Sequence, residues 1–236
     1  MKQAILFDLD GTLLPMDQEE FTSGYFKLLA AKMAPHGYEP KSLVDALWQG
    51  VGAMVKNDGA KTNTDRFWAV FNAALGKDCR ADEPIFDSFY RDEFRQAVRF
   101  TQPTPVSARL VRAAREQAER VILATNPLFP RCGQNTRLSF LDLADTDFDW
   151  VTDYENSRFC KPNPDYYREI LDRFGLDPAR CLMIGNDMEE DMVPASGLGM
   201  EVFLVTDCLI NPKERPLTMP HGTLADALAF VEGLTA

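Results

Sequence analysis

The chain has 236 residues, 45% of them hydrophobic, enough to bury a substantial core, and 25 basic against 36 acidic side chains leave a net charge of −11. Such an acidic surface repels phosphate backbones and anionic headgroups, which argues against nucleic acid and membrane as partners, and no window approaches the roughly 18–20 apolar residues of a membrane span. Five cysteines (Cys79, Cys132, Cys160, Cys181, Cys208) without metal-ligand spacing, and an N-terminus that enters a strand with no signal-peptide pattern, read as a cytoplasmic protein with reduced thiols.

The length suits a domain of about 150 residues with a smaller one beside it. Ala4–Phe7 is a short apolar run that empties into Asp8-Leu9-Asp10-Gly11-Thr12, the pattern of a buried parallel strand ending in a tight loop. The next stretch is helical in period throughout. Phe21, Tyr25, Leu28, Leu29 and Met33 share one helical face, Pro35-His36-Gly37 ends that helix, and Pro40 opens a second with Leu43, Leu47, Val51 and Val55 four apart. Thr64 or Asn63 is expected to cap a third helix holding Phe67, Phe71 and Leu75. Asp82 with Pro84 is expected to open a fourth holding Phe86, Phe89, Tyr90 and Phe94. The aromatics Phe21, Tyr25, Trp48, Phe67, Trp68, Phe89 and Tyr90 sit at helical spacings and read as core, with the lining of a pocket as the alternative.

From Thr104-Pro105 onward strands and helices alternate. A helix near 105–118 precedes strand Val121–Ala124, and a helix near 130–141 precedes a short strand at Trp150-Val151. A helix over 164–174 precedes strand Leu182–Ile184. After a short helix come strand Val202–Val205 and a last helix with Leu224, Leu228, Phe230 and Val231. This alternation predicts the α/β class, a doubly wound parallel sheet, with a helical module at about 16–99 inserted after the first strand.

In open sheets of this kind ligands sit in the crevice at the carboxyl ends of the strands, and four polar clusters fall there. Asp8 and Asp10 make a poor core but a good site for a hard cation, and Gly11 lets the backbone turn and present N–H groups to an anion. Thr125-Asn126 closes the second strand with a hydroxyl able to donate to a phosphoryl oxygen. Lys161 stands in the rigid turn Cys160-Lys161-Pro162-Asn163-Pro164 before a helix. The acidic run from Asn186-Asp187 to Asp191 follows an apolar strand directly, as a ligand loop would. His36 and His221 lie far apart beside Gly or Pro and read as surface loop residues, so a histidine-based mechanism has little to work with.

Taken in order, DLDGT at 8–12, Thr125, the K-P-x-P-x-x-Y run from Lys161 and the acidic cluster after Ile184 resemble the four motifs of the haloacid dehalogenase (HAD) superfamily. The resemblance spans nearly the whole chain. It implies a HAD-like Rossmannoid core over residues 1–15 and 100–236 and a small all-helical cap over 16–99, as in the phosphatase-like branch whose cap follows the first motif. It further implies a Mg2+-dependent phosphatase acting on a small phosphorylated metabolite, with the protein a monomer or homodimer. Asp8 would be the nucleophile that forms an aspartyl-phosphate and Asp10 the general acid and base. Thr125 and Lys161 would bind the phosphoryl group, helped by Leu9, Gly11, Thr12 and Asn126. Asp8, the main-chain oxygen of Asp10 and an acidic-cluster residue would hold the metal.

The fourth motif departs from the family's commoner form, which places aspartate immediately after the glycine; here that position is Asn186 and Asp187 follows. A carboxylate suits a hard divalent cation better, which favours Asp187, with Asn186 and Asp191 as alternatives and Asp191 suited to holding a metal-bound water. Dehalogenases of the family lack an acid at the position of Asp10, so its presence favours phosphoryl transfer. A phosphosugar mutase shares the motifs and cap, and a catalytically silent phosphate-binding protein would share the fold.

Overall fold

The computed structural model describes residues 1–234. Six parallel strands, β1 (Lys2–Phe7), β2 (Ala118–Leu123), β3 (Trp150–Val151), β4 (Cys181–Gly185), β5 (Glu201–Val205) and β6 (His221–Gly222), form one sheet in the order β3-β2-β1-β4-β5-β6. The order reverses at β1, so the crevice beyond its carboxyl end is where Asp8 emerges. Side chains of β1 alternate between two apolar layers, as a pleated strand buried on both faces requires. Ile5 and Phe7 belong to one layer with Val121, Leu123, Leu182 and Ile184, whereas Ala4 and Leu6 face the other with Ile122 and Met183.

The helices are α1 (Gln18–Met33), α2 (Pro40–Val55), α3 (Asn63–Leu75) and α4 (Glu83–Arg91) between β1 and β2, then α5 (Pro105–Gln117), α6 (Arg131–Ser139), α7 (Pro164–Phe174), α8 (Val193–Gly197) and α9 (Leu224–Glu232). Helices α5 and α9 pack on the first face of the sheet and α7 and α8 on the second, which makes the sheet doubly wound. Helix starts follow ordinary capping chemistry. Asp17 accepts from the Glu20 N–H at 2.8 Å at the start of α1, and Asn163 accepts from the Asp165 N–H at 2.9 Å before Pro164 opens α7. The apolar layer of the first face runs on without a break into α1–α4, so the helical stretch shares its core with the sheet.

Several boundaries differ from the expected ones. The cap of α3 is Thr62, whose hydroxyl accepts from Asp65 N–H at 3.3 Å. Asn63 and Thr64 instead lie inside the first turn and send their N–H groups to the carbonyls of Ser157 and Tyr154, so tertiary partners replace a capping role. Asp82 precedes α4 as expected, but its carboxylate accepts from the Tyr38 hydroxyl at 2.7 Å instead of capping the helix. Phe94 falls in a 3-10 segment, Glu93–Phe100, after α4 has ended. Strand β2 begins at Ala118, earlier than its apolar run, because register with β1 pairs Lys2 with Ala118. Strand β6 has two residues, too short to leave a period in the sequence. Of the cap-region aromatics expected in the core, Phe21, Tyr25, Trp68, Phe89 and Tyr90 are buried and Phe67 is half-buried; Trp48 is exposed. No helix among the described residues is long and apolar enough to cross a membrane.

Candidate active site

Asp8 leaves β1 with its N–H bonded to the Ile184 carbonyl of β4, which sets the carboxylate at the strand end. The next residues curl tightly. Leu9 O accepts from Thr12 and Leu14 N–H, and Gly11 N–H donates to Leu14 O. Gly11 has φ +88°, a region costly for an L-residue, and a β-carbon there would collide with the amide of Asn186. The amides of Gly11 and Thr12 are thus used inside the turn, so these two residues shape the loop instead of presenting N–H groups to an anion. The Thr12 hydroxyl is within hydrogen-bond distance of Asp8 Oδ2 at 3.1 Å and Asn186 Oδ1 at 3.0 Å.

Lys161 reaches the same point from the turn before α7. Its buried ammonium donates to Asp8 Oδ1 at 2.8 Å and Asp191 Oδ1 at 2.6 Å. Burial disfavours the charge, yet the Asp191 and Asp8 carboxylates outweigh it and hold the Lys161 pKa well above its ordinary value. Asp191 is fully committed to this arrangement. Its Oδ1 also accepts from the Tyr167 hydroxyl at 3.3 Å and its Oδ2 from the Asp187 N–H at 3.1 Å. Gly185 makes room for that carboxylate, since a β-carbon there would overlap it.

The fourth cluster separates the two residues that the sequence left as alternatives. Asn186 accepts from Thr12 and donates to the Cys208 carbonyl at 2.6 Å, so its amide braces the β4 loop against the segment after β5. Asp187 uses Oδ1 to accept from the N–H groups of Glu189 and Glu190 at 2.7 and 2.9 Å, capping a π-helical turn, Met188–Met192. Its Oδ2 takes no hydrogen bond among the described residues. Burial pushes the Asp187 carboxyl up, and Glu190, buried beside Asn126, is raised to about 8 for the same reason.

Thr125 follows β2, and its carbonyl accepts from the Thr152 hydroxyl at 2.6 Å and the Tyr166 hydroxyl at 2.9 Å. Asn126 donates to Glu190 at 2.9 Å, while its buried Oδ1 has no partner among the described residues. Asp8, Asp10, Thr125, Asn126, Asn186, Asp187, Glu190 and Asp191 together line a cavity of about 170 Å³, and Gln18, Phe21, Thr22, Leu128 and Phe129 are also on its lining. Leu9 is buried beneath it.

Arg137 is the residue that sequence reasoning missed. It lies on α6, fully buried, with one guanidinium nitrogen on Asp10 Oδ2 and the other on the Gln134 side-chain oxygen, and its charge sits 4.0 Å from the centre of the Phe129 ring. Burial raises the Asp10 pKa while Arg137 opposes the rise, and Asp10 Oδ1 is buried without a partner among the described residues. An arginine in a short polar helix reads as solvated surface. Only the i, i+3 pairing of Gln134 with Arg137 hinted that two polar residues share one inward face. Tyr166 and Thr152, the braces behind Thr125, also escaped the sequence reading, whereas Tyr167, which braces Asp191, is the last residue of the K-P-x-P-x-x-Y run.

The donors suit a hard divalent cation. The Asp8 carboxylate, the Asp10 main-chain oxygen and the Asp187 carboxylate supply oxygen only, and Mg2+ needs one or two carboxylates because it keeps several waters. No cluster of three His, Cys, Asp or Glu side chains placed to hold a metal occurs among the described residues.

The parallel sheet thus gathers an aspartate pair, a buried lysine and an acidic loop at its carboxyl edge, the architecture of the Rossmannoid α/β class. Residues 2–199 match the haloacid dehalogenase-like hydrolase family, and the chain belongs to it. A HAD phosphatase from Thermococcus onnurineus shares the fold over 100% of both chains, with TM-score 0.60 and 19% identity. The putative HAD-hydrolase YfnB from Bacillus subtilis, bound to magnesium, does so over 99% of both with TM-score 0.60 and 17% identity. L-2-haloacid dehalogenase from Xanthobacter autotrophicus matches over 100% of both with TM-score 0.57 and 16% identity. In sequence, a stretch of 58 residues is 40% identical to glyceraldehyde 3-phosphate phosphatase of Methanothermobacter thermautotrophicus, spanning 25% of this chain and 26% of that relative's length.

Proposed function

We propose that the protein is a Mg2+-dependent phosphatase of small phosphorylated metabolites, with residues 16–99 acting as a cap over the phosphate site. The observation that carries this reading is the position of Asp10 on the wall of the cavity that Asp8 lines. An alkoxide must be protonated as it leaves and a halide need not be, so an acid beside the nucleophile favours a phosphate ester over a haloacid.

In this reading Asp8 attacks phosphorus in line, an Asp8–phosphorus bond forms, and the ester P–O bond breaks as Asp10 delivers a proton to the departing oxygen. Asp10, now ionised beside Arg137, takes a proton from water. The water oxygen bonds to phosphorus and Asp8 is released. Lys161 sits where it offsets the charge of Asp8 and of the phosphoryl oxygens, and Asp191 and Tyr167 hold it there. Thr125, Asn126 and the Leu9 N–H complete the phosphoryl pocket. Mg2+, held by Asp8, the Asp10 main-chain oxygen and Asp187, would supply the positive charge that lets an anionic carboxylate approach an anionic phosphoryl group. Phe21, Leu128 and Phe129 exclude bulk water above the site.

The test is phosphate release from a panel of small phosphate esters, with and without Mg2+, beside the Asp8→Asn protein. Mg2+-dependent release that disappears in Asp8→Asn is the expected result. Full turnover by Asp8→Asn would sink the covalent scheme. Silence toward every ester would redirect the work to sugar-bisphosphate exchange.

A further inference from the structure

The phosphate cavity holds about 170 Å³, below the roughly 300–1,000 Å³ typical of sites that enclose a whole small molecule. It accommodates a phosphoryl group and little of the alcohol attached to it. A second concavity of about 830 Å³ adjoins it, with Gln18 and Thr22 on the lining of both. It is a groove between α1 and α2. Phe26 and Ala30 continue the Gln18–Thr22 stripe of α1 at successive fourth positions, and Val44 and Trp48 face them from α2. From Gln18 to Ala30 the helix advances about 18 Å at about 1.5 Å per residue.

Trp48 marks the groove as unusual. It is 53% exposed, edge-on to Phe26 at 5.3 Å between ring centres, whereas the other tryptophan of this helical stretch, Trp68, is buried. The charges at the rim balance. Glu19 and Asp45 oppose Lys27 and Lys41, and Lys41 is already paired with Asp45 at 2.7 Å. The groove therefore selects for apolar surface and not for charge, and Gln18 and Thr22 are the walls it shares with the phosphate site.

We propose that this groove binds the alcohol half of the substrate, and that the alcohol is an elongated, uncharged aliphatic or aromatic body. The inference rests on the phosphatase reading and names its substrate class. Gln18, which lies 3.5 Å from the Asp10 main-chain oxygen, and Thr22 form the neck through which the ester linkage passes. Phe26, Ala30, Val44 and Trp48 cover the apolar body beyond it.

The experiment measures kcat/KM for a series of linear alkyl phosphates from ethyl to octyl, with the full chain and with Trp48→Ala. Each added methylene that enters the groove should raise kcat/KM about three- to fourfold until the groove is filled. Trp48→Ala should cut the octyl-to-ethyl ratio at least about tenfold, since it strips the largest apolar wall. Trp150→Phe, on the distant edge strand β3, serves as the control that keeps the ratio. A series flat in chain length with good turnover of the short esters would overturn the groove and leave the phosphatase. In parallel, octylphosphonate, which cannot be hydrolysed, should quench tryptophan fluorescence in the wild type and not in Trp48→Phe. That quench without hydrolysis of any ester would leave the groove standing and remove the phosphatase reading. Sedimentation that finds a dimer dissociated by Trp48→Ala would overturn the proposal by placing a second copy on this face.

Discussion

Replacing Arg137 with methionine tests whether the buried Arg137–Asp10 pair organises the site. Arg137 is fully enclosed, and Asp10 has one oxygen on the guanidinium and the other without a partner. Methionine keeps most of the volume and the contact with Phe129 while leaving the Asp10 carboxylate with neither oxygen bonded by the protein. Removing one partner of a buried ion pair costs about 3–5 kcal/mol. Asp10 borders the cavity and can recover some hydration or take up a proton, which places the expected loss at the lower end, about 3 kcal/mol. Gln134 keeps its bond to the Thr152 carbonyl at 3.1 Å, so the damage stays local. Adding Asp10→Asn removes the stranded charge, and the double variant should be at least about 1 kcal/mol more stable than Arg137→Met alone. The assay is urea unfolding at pH 7 of wild type, both single variants and the double, read as midpoints at constant slope. A loss below about 1 kcal/mol for Arg137→Met, or strictly additive effects in the double, would refute the idea that the two charges depend on one another.

Three further outcomes are expected. Gly11→Ala forces φ +88° on an L-residue and pushes Asn186 away from Thr12, so it should cost about 1–2 kcal/mol or more and abolish turnover; an active, equally stable variant would contradict the turn geometry. Tyr166→Phe removes the hydroxyl that donates to the Thr125 carbonyl, and thermal unfolding should report a loss of about 1 kcal/mol together with a lowered kcat. Chelation should silence the enzyme and Mg2+ should restore it. Asp187→Ala should then raise the Mg2+ concentration for half-maximal rate more than Asn186→Ala does, and the reverse order would assign the ligand to Asn186.

Much of the chain's order was legible without coordinates because short-range physics writes it. The four-residue spacing of apolar side chains in α1 and α2, the proline openings at Pro40, Pro105 and Pro164, and the unbroken apolar runs of β1 and β4 each follow from local periodicity and backbone restriction. Those runs, and that of β2, stop at polar residues on the carboxyl edge of a parallel sheet, so Asp8, Thr125 and Asp187 could be proposed as site residues from position alone. What the tertiary structure decided were partnerships. Whether Asn63 caps a helix or ties its N–H to Ser157 depends on a segment some ninety residues away, and no local pattern encodes it. The same holds for Asp191, which the sequence offered as an alternative metal ligand or the holder of a metal-bound water and whose carboxylate is the buried anchor of Lys161. It holds most of all for Arg137 on α6, whose charge is tolerable inside the protein because Asp10, from the loop after β1, meets it. A sequence states which groups a chain carries; the desolvation of a charge, and the partner that offsets it, exist only once distant segments have been packed together.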